Sequence, residues 1–345
     1  MTVAATGSAS STAERIRAGD VRAAARLMRN LDDGLPGARA VLRELFARPG
    51  HAFVLGLTGP PGAGKSSLTD RLIAHHRKAG RTVGVVAVDP TSPFTGGAIL
   101  GDRVRMQDHA LDPGVFIRSL ATRGHLGGLS RATSDVVQVL DAMGKDLVIV
   151  ETVGVGQDEV EVAELAHSVV VVSIPGMGDE VQAIKAGVLE IADVFAVNKA
   201  DREGADRTVR DLQMMLELRR STATRGGLEH DALHRMTRTG AEDPHEEGWW
   251  EPPIVKTVAT RNEGIADLVA AVERHREHLD RTGERRRREV ARARATFLTL
   301  LRDRLMQGAL ARLAEEVGHL DEIAARIAAR EADPYDLADE MAGRL

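Results

Sequence analysis

The residues with the clearest capacity for chemistry form a glycine-rich segment that ends in lysine and serine: Gly59-Pro60-Pro61-Gly62-Ala63-Gly64-Lys65-Ser66. The segment satisfies the pattern G-x-x-x-x-G-K-[ST], in which glycines let successive backbone N–H groups turn inward around a phosphate. The lysine then neutralises the β- and γ-phosphates, and the serine hydroxyl ligates Mg²⁺. The sequence therefore predicts a nucleoside triphosphate site made by this loop and the next residue, Ser67.

A second motif, Asn198-Lys199-Ala200-Asp201, follows an apolar run and matches the N-K-x-D pattern that selects guanine. The carboxylate of Asp201 can accept the N1–H and the exocyclic amino hydrogens of guanine, whereas adenine offers no such pair of donors. The stem of Lys199 is expected to cover the base, and Asn198 to brace the pocket. We interpret Val258-Ala259-Thr260 as a second base loop whose backbone N–H bonds guanine O6.

Carboxylates follow two of the apolar runs that predict strands. Glu151 and Asp89 each end such a run, and Asp102 lies in the loop after Asp89. Together with the hydroxyl of Ser66, these oxygens suit Mg²⁺, provided that the strands are neighbours. The alternative is that the carboxylates only cap the turns that follow their strands.

Seven short apolar runs separated by helical segments predict the scaffold of this site. Their Val/Ile/Leu content without polar alternation is typical of parallel strands buried on both faces. We therefore expect an α/β fold of the P-loop NTPase type, with a doubly wound, mostly parallel sheet flanked by N-terminal and C-terminal helical segments. The predicted divisions are an N-terminal arm with helices over 1–46, the nucleotide domain over 47–275 and a helical arm over 276–345.

The composition of the chain excludes several classes of function. There is no cysteine among its 345 residues, which rules out disulfides, thiolate zinc sites, iron–sulfur clusters and cysteine nucleophiles. A formal net charge of −5 gives no basic field for nucleic acid or anionic lipid. No apolar stretch reaches the ~18 residues of a membrane helix. We therefore expect a cytoplasmic protein that binds neither nucleic acid nor a membrane.

Taken together, the motifs resemble those of the MeaB/ArgK family, whose members are SIMIBI-class P-loop GTPases. The resemblance rests on the phosphate loop, Val86–Pro90, Gly101–Arg103, Glu151–Gln157 and Asn198–Asp201. Family members act as chaperones for adenosylcobalamin-dependent acyl-CoA mutases, chiefly methylmalonyl-CoA mutase. The resemblance implies GTP/GDP and Mg²⁺ as cofactors, a mutase partner, and a homodimer formed through the C-terminal helical arm.

The expected catalytic residues are Lys65, Glu151, Gly154, whose N–H is placed to sense the γ-phosphate, and Gln157. Many signalling GTPases have glutamine directly after that glycine, but Val155 takes this place here. We therefore expect slow intrinsic hydrolysis that a partner accelerates.

The segment Pro175–Lys185 resembles the family's extra switch loop, through which the mutase controls hydrolysis. On this interpretation Gln182 and Lys185 sense the partner. The alternative is a glycine-rich connection that leads into an ordinary helix.

Three other functions are consistent with parts of the sequence. A nickel-insertion GTPase would usually carry Cys/His ligands, and this chain has no cysteine. An ATP-using kinase or transport ATPase conflicts with the N-K-x-D motif. An interaction module would leave the phosphate loop unused. The sequence does not indicate which acyl-CoA mutase would be the client.

Overall fold

A computed structural model describes residues 11–89, 106–109, 111–121, 128–152, 162–176, 190–224, 249–316 and 320–344. The chain consists of two compact units, one that ends at Arg285 and one made mainly of the residues from Arg286 onward. No helix in these described ranges is long and apolar enough to cross a lipid bilayer.

The seven predicted runs are the seven strands of one sheet in the first unit. Their bounds are β1 Phe53–Thr58, β2 Val83–Asp89, β3 Val115–Ala121, β4 Leu147–Thr152, β5 Ser168–Ser173, β6 Val194–Val197 and β7 Ile254–Lys256. The order of the described strands is β3-β2-β4-β1-β5-β6-β7, and all their pairings are parallel. The predicted doubly wound α/β fold is confirmed.

Helices cover both faces of this sheet. In the first unit they include α1 (residues 11–17), α2 Val21–Asp32, α3 Ala38–Phe46, α4 Lys65–Lys78, α5 Gly128–Ala142, α6 Ala205–Thr224 and α7 Ile265–Thr282. They are followed by α8 Glu284–Glu316, α9 Leu320–Ala328 and α10 Pro334–Arg344.

The strands lack polar alternation because apolar side chains pack on both sides of the sheet. Val54 of β1 belongs to the same buried cluster as Leu140 of α5, whereas Leu55 belongs to a second cluster with Leu72 of α4 and Leu268 of α7. Every residue of β1, β4, β5 and β6 is buried. Burial on two faces is what a parallel sheet between helical layers requires.

The N-terminal helices pack into the first unit rather than forming a unit of their own. Asp20 caps α2, because its side chain accepts the N–H of Ala23 at 2.9 Å. Leu27 and Met28 of α2 and Leu45 of α3 are buried in the cluster that also contains side chains of α5. The predicted N-terminal helical segment is therefore part of the layer that covers the sheet.

The C-terminal residues are helical, as predicted, but the expected boundary at residue 276 lies within α7. The second unit is made mainly of the residues from Arg286 onward. Several large apolar side chains of α8 are exposed to solvent: Val290, Phe297, Leu298, Leu301, Leu305 and Met306. The assignment of this region as a dimerisation arm stays a prediction.

The topology defines one edge of the sheet as the place for a ligand. β1 lies between β4 and β5, and the chain continues from it to β2 on one side before it forms β5, β6 and β7 on the other. Ligands of open α/β sheets bind outside the carboxyl ends of the strands at such a reversal. The predicted phosphate loop follows β1 at this position.

Candidate functional site

At two positions of the predicted phosphate loop, neighbouring atoms lie where the Cβ of any residue other than glycine would be. Gly59 has φ 137°, and a Cβ there would lie 2.1 Å from the carbonyl oxygen of Val172 on β5. Gly64 has φ 89°, and a Cβ there would lie 2.4 Å from Nδ2 of Asn198. L side chains rarely adopt either φ value; at Gly59 a Cβ would also clash with backbone, and at Gly64 it would displace the side-chain amide of Asn198. The loop therefore lies directly against β5 and against the residue that follows β6.

Lys65 begins α4 with its side chain turned into the loop. Its Nζ donates hydrogen bonds to the carbonyl oxygens of Gly59, at 2.7 Å, and Pro60, at 3.0 Å, and the residue is only 6% exposed. A buried ammonium group near the N-terminus of a helix makes a site that attracts phosphate. Ser67 lies beside it in the first turn of α4 and is half-buried.

Glu151 and Ser66, which the sequence predicts as metal ligands, are in direct contact. Ser66 Oγ donates to Glu151 Oε1 at 2.6 Å, and Thr69 Oγ1 donates to Glu151 Oε2 at 2.7 Å. Glu151 is only 3% exposed and is paired in register with Leu57 of β1 and with Ala87 of β2. The pairing with β1 brings this carboxylate to the helix that follows the phosphate loop.

The oxygen atoms gathered here suit Mg²⁺ bound together with a nucleotide. Among the described residues there is no group of three or more His, Cys, Asp or Glu side chains that could enclose a metal by itself. Mg²⁺ in nucleotide sites, however, usually takes only one or two protein ligands and completes its octahedron with phosphate oxygens and water. The hydroxyl of Ser66 and the carboxylate of Glu151 meet that requirement.

Asn198 connects the phosphate loop to the predicted base loop. Its Nδ2 donates to the carbonyl of Ala63 at 2.8 Å, while its Oδ1 accepts from Ala259 N at 3.2 Å and Thr257 Oγ1 at 3.3 Å. The backbone N–H of Asn198 bonds the carbonyl of Ser173, at the end of β5. The side-chain amide and the backbone N–H of this one buried residue together hold three segments that are distant in the sequence.

The other two predicted residues of the N-K-x-D motif lie at the surface. Lys199 has φ 55°, and its Nζ donates to the carbonyl of Gly62 at 2.6 Å. The side chain of Asp201 is 38% exposed and lies 3.9 Å from a guanidinium nitrogen of Arg261. Lys199 therefore bridges the base motif to the phosphate loop, while the carboxylate of Asp201 stays accessible.

The predicted base loop is a short turn in which two backbone donors are already used. The N–H of Val258 bonds the carbonyl of Glu263 at 3.0 Å, and the N–H of Ala259 bonds Asn198. Arg71 of α4 donates from Nε to the carbonyl oxygen of Ala259 at 3.0 Å. The N–H groups of Val258 and Ala259 would therefore reach guanine O6 only if a ligand displaced these bonds.

With this geometry in place, comparison with known proteins identifies the family. Residues 25–314 match the sequence profile of the methylmalonyl-CoA mutase-associated GTPase MeaB. The chain belongs to the MeaB family. It is therefore a P-loop GTPase, and the family is associated with methylmalonyl-CoA mutase.

Relatives of this MeaB-family chain agree with that membership. A Pyrococcus abyssi protein named as a GTPase is 46% identical, over 94% of this chain and 93% of that protein. The GTPase ArgK of Escherichia coli is 36% identical, over 75% of this chain and 73% of its own length. The crystal structure of a LAO/AO transport system kinase has the same fold, with a TM-score of 0.65 at 21% identity and coverage of 98% of this chain and 97% of that one.

Several of the residues that the MeaB/ArgK resemblance singles out have no described position. Asp102, Gly154, Gln157, Gln182 and Lys185 all lie outside the described residues. Asp89 ends β2, and its neighbour Val88 pairs with Thr152 of β4, so the adjacency that a shared metal site requires is present. The roles of these residues remain predictions.

Sequence reasoning missed three contacts of the MeaB-family site. Thr69 binds Glu151, Thr257 binds Asn198, and Arg71 binds the base loop. Thr69 follows Ser66 by three residues, and residues three apart on a helix share a face, so the helical spacing could have identified it. Arg71 and Thr257 could not be found in this way, because their partners are far away along the chain.

Proposed function

We propose that this MeaB-family protein binds GTP and Mg²⁺ at the described site, hydrolyses the GTP, and thereby gates adenosylcobalamin loading and protection of an acyl-CoA mutase. Methylmalonyl-CoA mutase is the first candidate for the client. The observation that carries the nucleotide part is the bonding of Asn198 to both the phosphate loop and the base loop. Because Asn198 joins the two loops, this link supports binding of the phosphates and the base of one nucleotide at a single site.

Guanine recognition is assigned to the carboxylate of Asp201, which would accept the N1–H and the amino hydrogens of the base. The stem of Lys199 would cover the base plane. A backbone N–H of the base loop, at Thr260 or at Ala259 after release from Asn198, would bond O6. Adenine would leave Asp201 without donors and would present an amino group to that N–H, so ATP should bind poorly.

The phosphates are assigned to the loop N–H groups and to Lys65, whose ammonium group would exchange two carbonyl partners for phosphate oxygens. Ser66 and Glu151, with Asp89 and Asp102, would hold the metal. When bound, Mg²⁺ supplies neutralisation of the charge that develops on the transferring phosphoryl group.

Two residues that follow Glu151 complete the proposed hydrolytic machinery. The N–H of Gly154 would contact the γ-phosphate, and Gln157 would orient the attacking water. Phosphoryl transfer needs mainly such positioning and charge stabilisation from the protein.

The mutase part of the proposal rests on the family that the chain belongs to, whose description names methylmalonyl-CoA mutase. We propose that Gln182 and Lys185 lie in the segment that senses this partner. Intrinsic hydrolysis would then be slow, and contact with the mutase would accelerate it by reordering the segment. The protein would act as a conformational switch rather than as a metabolic catalyst.

A homodimer formed by the C-terminal helices is also proposed. Phe297, Leu301 and Leu305 of α8 recur at helical spacing, and all three are more than 40% exposed. Exposed apolar side chains in contiguous rows commonly mark protein–protein contacts. Sedimentation of the full chain tests this, since a monomer at micromolar concentration would contradict it.

Calorimetry with GDP and ADP in the presence of Mg²⁺ tests the nucleotide assignment. We expect GDP to bind at least about 100-fold more tightly, because two hydrogen bonds to a carboxylate distinguish the bases. Equal affinities would reject the guanine site, and tighter binding of ATP than of GTP would favour an ATP-using kinase or transport ATPase.

Steady-state GTP turnover with and without purified methylmalonyl-CoA mutase tests the partner. We expect the mutase to raise the rate and to co-elute with the protein on size-exclusion chromatography. A fast rate that is equal in both cases would contradict regulation by the mutase.

A further inference from the structure

The carboxylate of Glu151 has two hydroxyl partners on α4, and only one of them belongs to the phosphate-loop motif. Ser66 Oγ lies 2.6 Å from Oε1, and Thr69 Oγ1 lies 2.7 Å from Oε2. Thr69 has no exposed surface, and Glu151 is 3% exposed. Each carboxylate oxygen thus has its own short, buried, charge-assisted hydrogen bond.

The spacing of the two hydroxyls explains why a glutamate can be held in this way. Ser66 and Thr69 are three residues apart, so they lie one above the other on the same face of α4. Glu151 approaches that face from β4, which is the neighbour of β1 in the sheet. The side chain is one methylene longer than the aspartate that most GTPases carry here, and its two oxygens reach both hydroxyls.

Ser66 has two tasks if the proposed Mg²⁺–nucleotide complex binds. Its hydrogen is donated to Glu151, and its lone pairs must be offered to the metal. The hydroxyl can do both only while the carboxylate keeps its orientation. Loss of the bond at Oε2 would remove one restraint on rotation about the terminal torsion of the carboxylate, which is intrinsically broad.

We propose that Thr69 is a positioning residue for the metal: it anchors Oε2 of Glu151, so that Oε1 and the Ser66 hydroxyl keep the orientation that Mg²⁺ requires. This inference rests on the proposed GTP–Mg²⁺ function and adds a residue outside the phosphate-loop motif to it. Partners that orient metal ligands in this way typically contribute 10- to 100-fold to metal affinity.

The substitution Thr69→Val removes the hydroxyl and keeps the shape of the side chain. Thr69→Ser restores the hydroxyl, and Thr69→Cys replaces it with a weak S–H donor. The matched control is Thr133→Val on α5. Thr133 is 2% exposed, and its Oγ1 has no hydrogen-bond partner within the described part of the chain.

The measurement is the affinity of the full-length protein for GDP, first in EDTA and then at rising Mg²⁺ concentration, together with thermal unfolding of each nucleotide-free variant. We expect Thr69→Val to bind GDP like the wild type in EDTA and to need at least about tenfold more Mg²⁺ for the same gain in affinity. Thr69→Ser and Thr133→Val should respond to Mg²⁺ like the wild type, and Thr69→Cys should be intermediate.

The inference is overturned if Thr69→Val keeps the wild-type response to Mg²⁺, or if Thr69→Ser is as impaired as Thr69→Val. Should Thr69→Val fail to fold, the comparison of Thr69→Cys with Thr69→Ser decides, and equal responses of these two variants would overturn the inference. Failure of the wild-type protein to bind GDP at all would instead reject the proposed function on which the role of Thr69 depends.

Discussion

The two ends of the candidate site differ in how completely the protein builds them. At the phosphate end, Lys65, Ser66 and Glu151 are all nearly buried, and each has hydrogen-bond partners from other parts of the site. At the base end, Asp201 is 38% exposed and contacts Arg261 only at 3.9 Å. The buried amide of Asn198 connects the two ends.

This difference indicates which recognition steps are preorganised. Buried and bonded groups cost little to hold in place when a ligand arrives, so the phosphate end should determine most of the affinity. Exposed groups gain their geometry from the ligand itself, so the base end should determine specificity with little effect on folding. Substitutions of Lys65, Asp201 and Arg71 test this division, in decreasing order of expected effect on the nucleotide site.

Lys65→Ala should have the largest effect, because it removes the only positive side chain of the phosphate loop. We expect GTP hydrolysis to fall about 1000-fold, since a charge that acts on the transferring phosphoryl group is lost. The measurement is single-turnover hydrolysis of GTP. Lys256→Ala is the matched control, because Lys256 is exposed and pairs with Asp206 away from the loop; equal losses for both variants would contradict the assignment.

His76, near the C-terminal end of α4, should make the stability of the fold sensitive to acid. Burial, reinforced by the charge of Arg81, lowers the pKa of His76 from its usual 6.5 to about 4. The folded state favours the neutral form of His76. The contribution of this residue to the free energy of unfolding is therefore fully present above pH 6.5 and is lost as the pH falls from 6.5 to 4. The loss should be about 3 kcal/mol in the free energy of unfolding.

Urea unfolding of the wild type and of His76→Gln between pH 7 and pH 4 measures this effect. The variant should lose less stability across the range than the wild type does. His75→Gln changes the neighbouring, less buried histidine, whose charge contributes to the lowered pKa of His76, and should reduce the dependence on pH less than His76→Gln does. Parallel curves for the wild type and His76→Gln would contradict the prediction.

Asp201→Asn should change the preferred base and leave the fold intact. An amide cannot accept both hydrogen bonds from guanine, so GDP affinity should fall about 100-fold, while XDP should gain because its C2 carbonyl accepts from the amide. The melting temperature should stay within about 1 °C, because the side chain is exposed. Asp206→Asn on α6 is the control, and loss of GDP binding in both variants would point to a general effect of charge.

Arg71→Met should give the smallest effect, since it removes one hydrogen bond to the carbonyl of Ala259. We expect the preference for GDP over ADP to fall about 3-fold, because the base loop loses a contact to α4 while Asn198 still holds it. Calorimetry with both nucleotides measures it. Arg207→Met, at an exposed position that pairs with Asp211 on α6, should leave the preference unchanged.

Much of the fold follows from local pattern. All seven predicted strands exist, because runs such as Val169–Val172 are buried on both faces and need no alternation. The phosphate loop is similarly local, since it lies between a strand and a helix that are adjacent in sequence. The predicted division at residue 276 falls inside α7, whereas most of the second compact unit follows Arg285, at the start of α8.

The contacts that Thr69, Thr257 and Arg71 make were not predictable, although helical spacing places Thr69 on the same face of α4 as Ser66. Each joins segments separated by 59 to 188 positions in the chain. Periodicity describes the face that a residue occupies on its own element and contains no information about the element that packs against it.

By itself the sequence determined the strands, the helices and the place of the phosphate loop between β1 and α4, and it predicted a base motif and oxygen donors for a metal. Only the tertiary structure decided that β4 lies beside β1, so that Glu151 reaches two hydroxyls of α4, and that Asn198 binds two distant loops. The physical reason is that strand order and register arise from the packing of whole layers, whereas hydrophobic pattern and loop chemistry are properties of neighbouring residues.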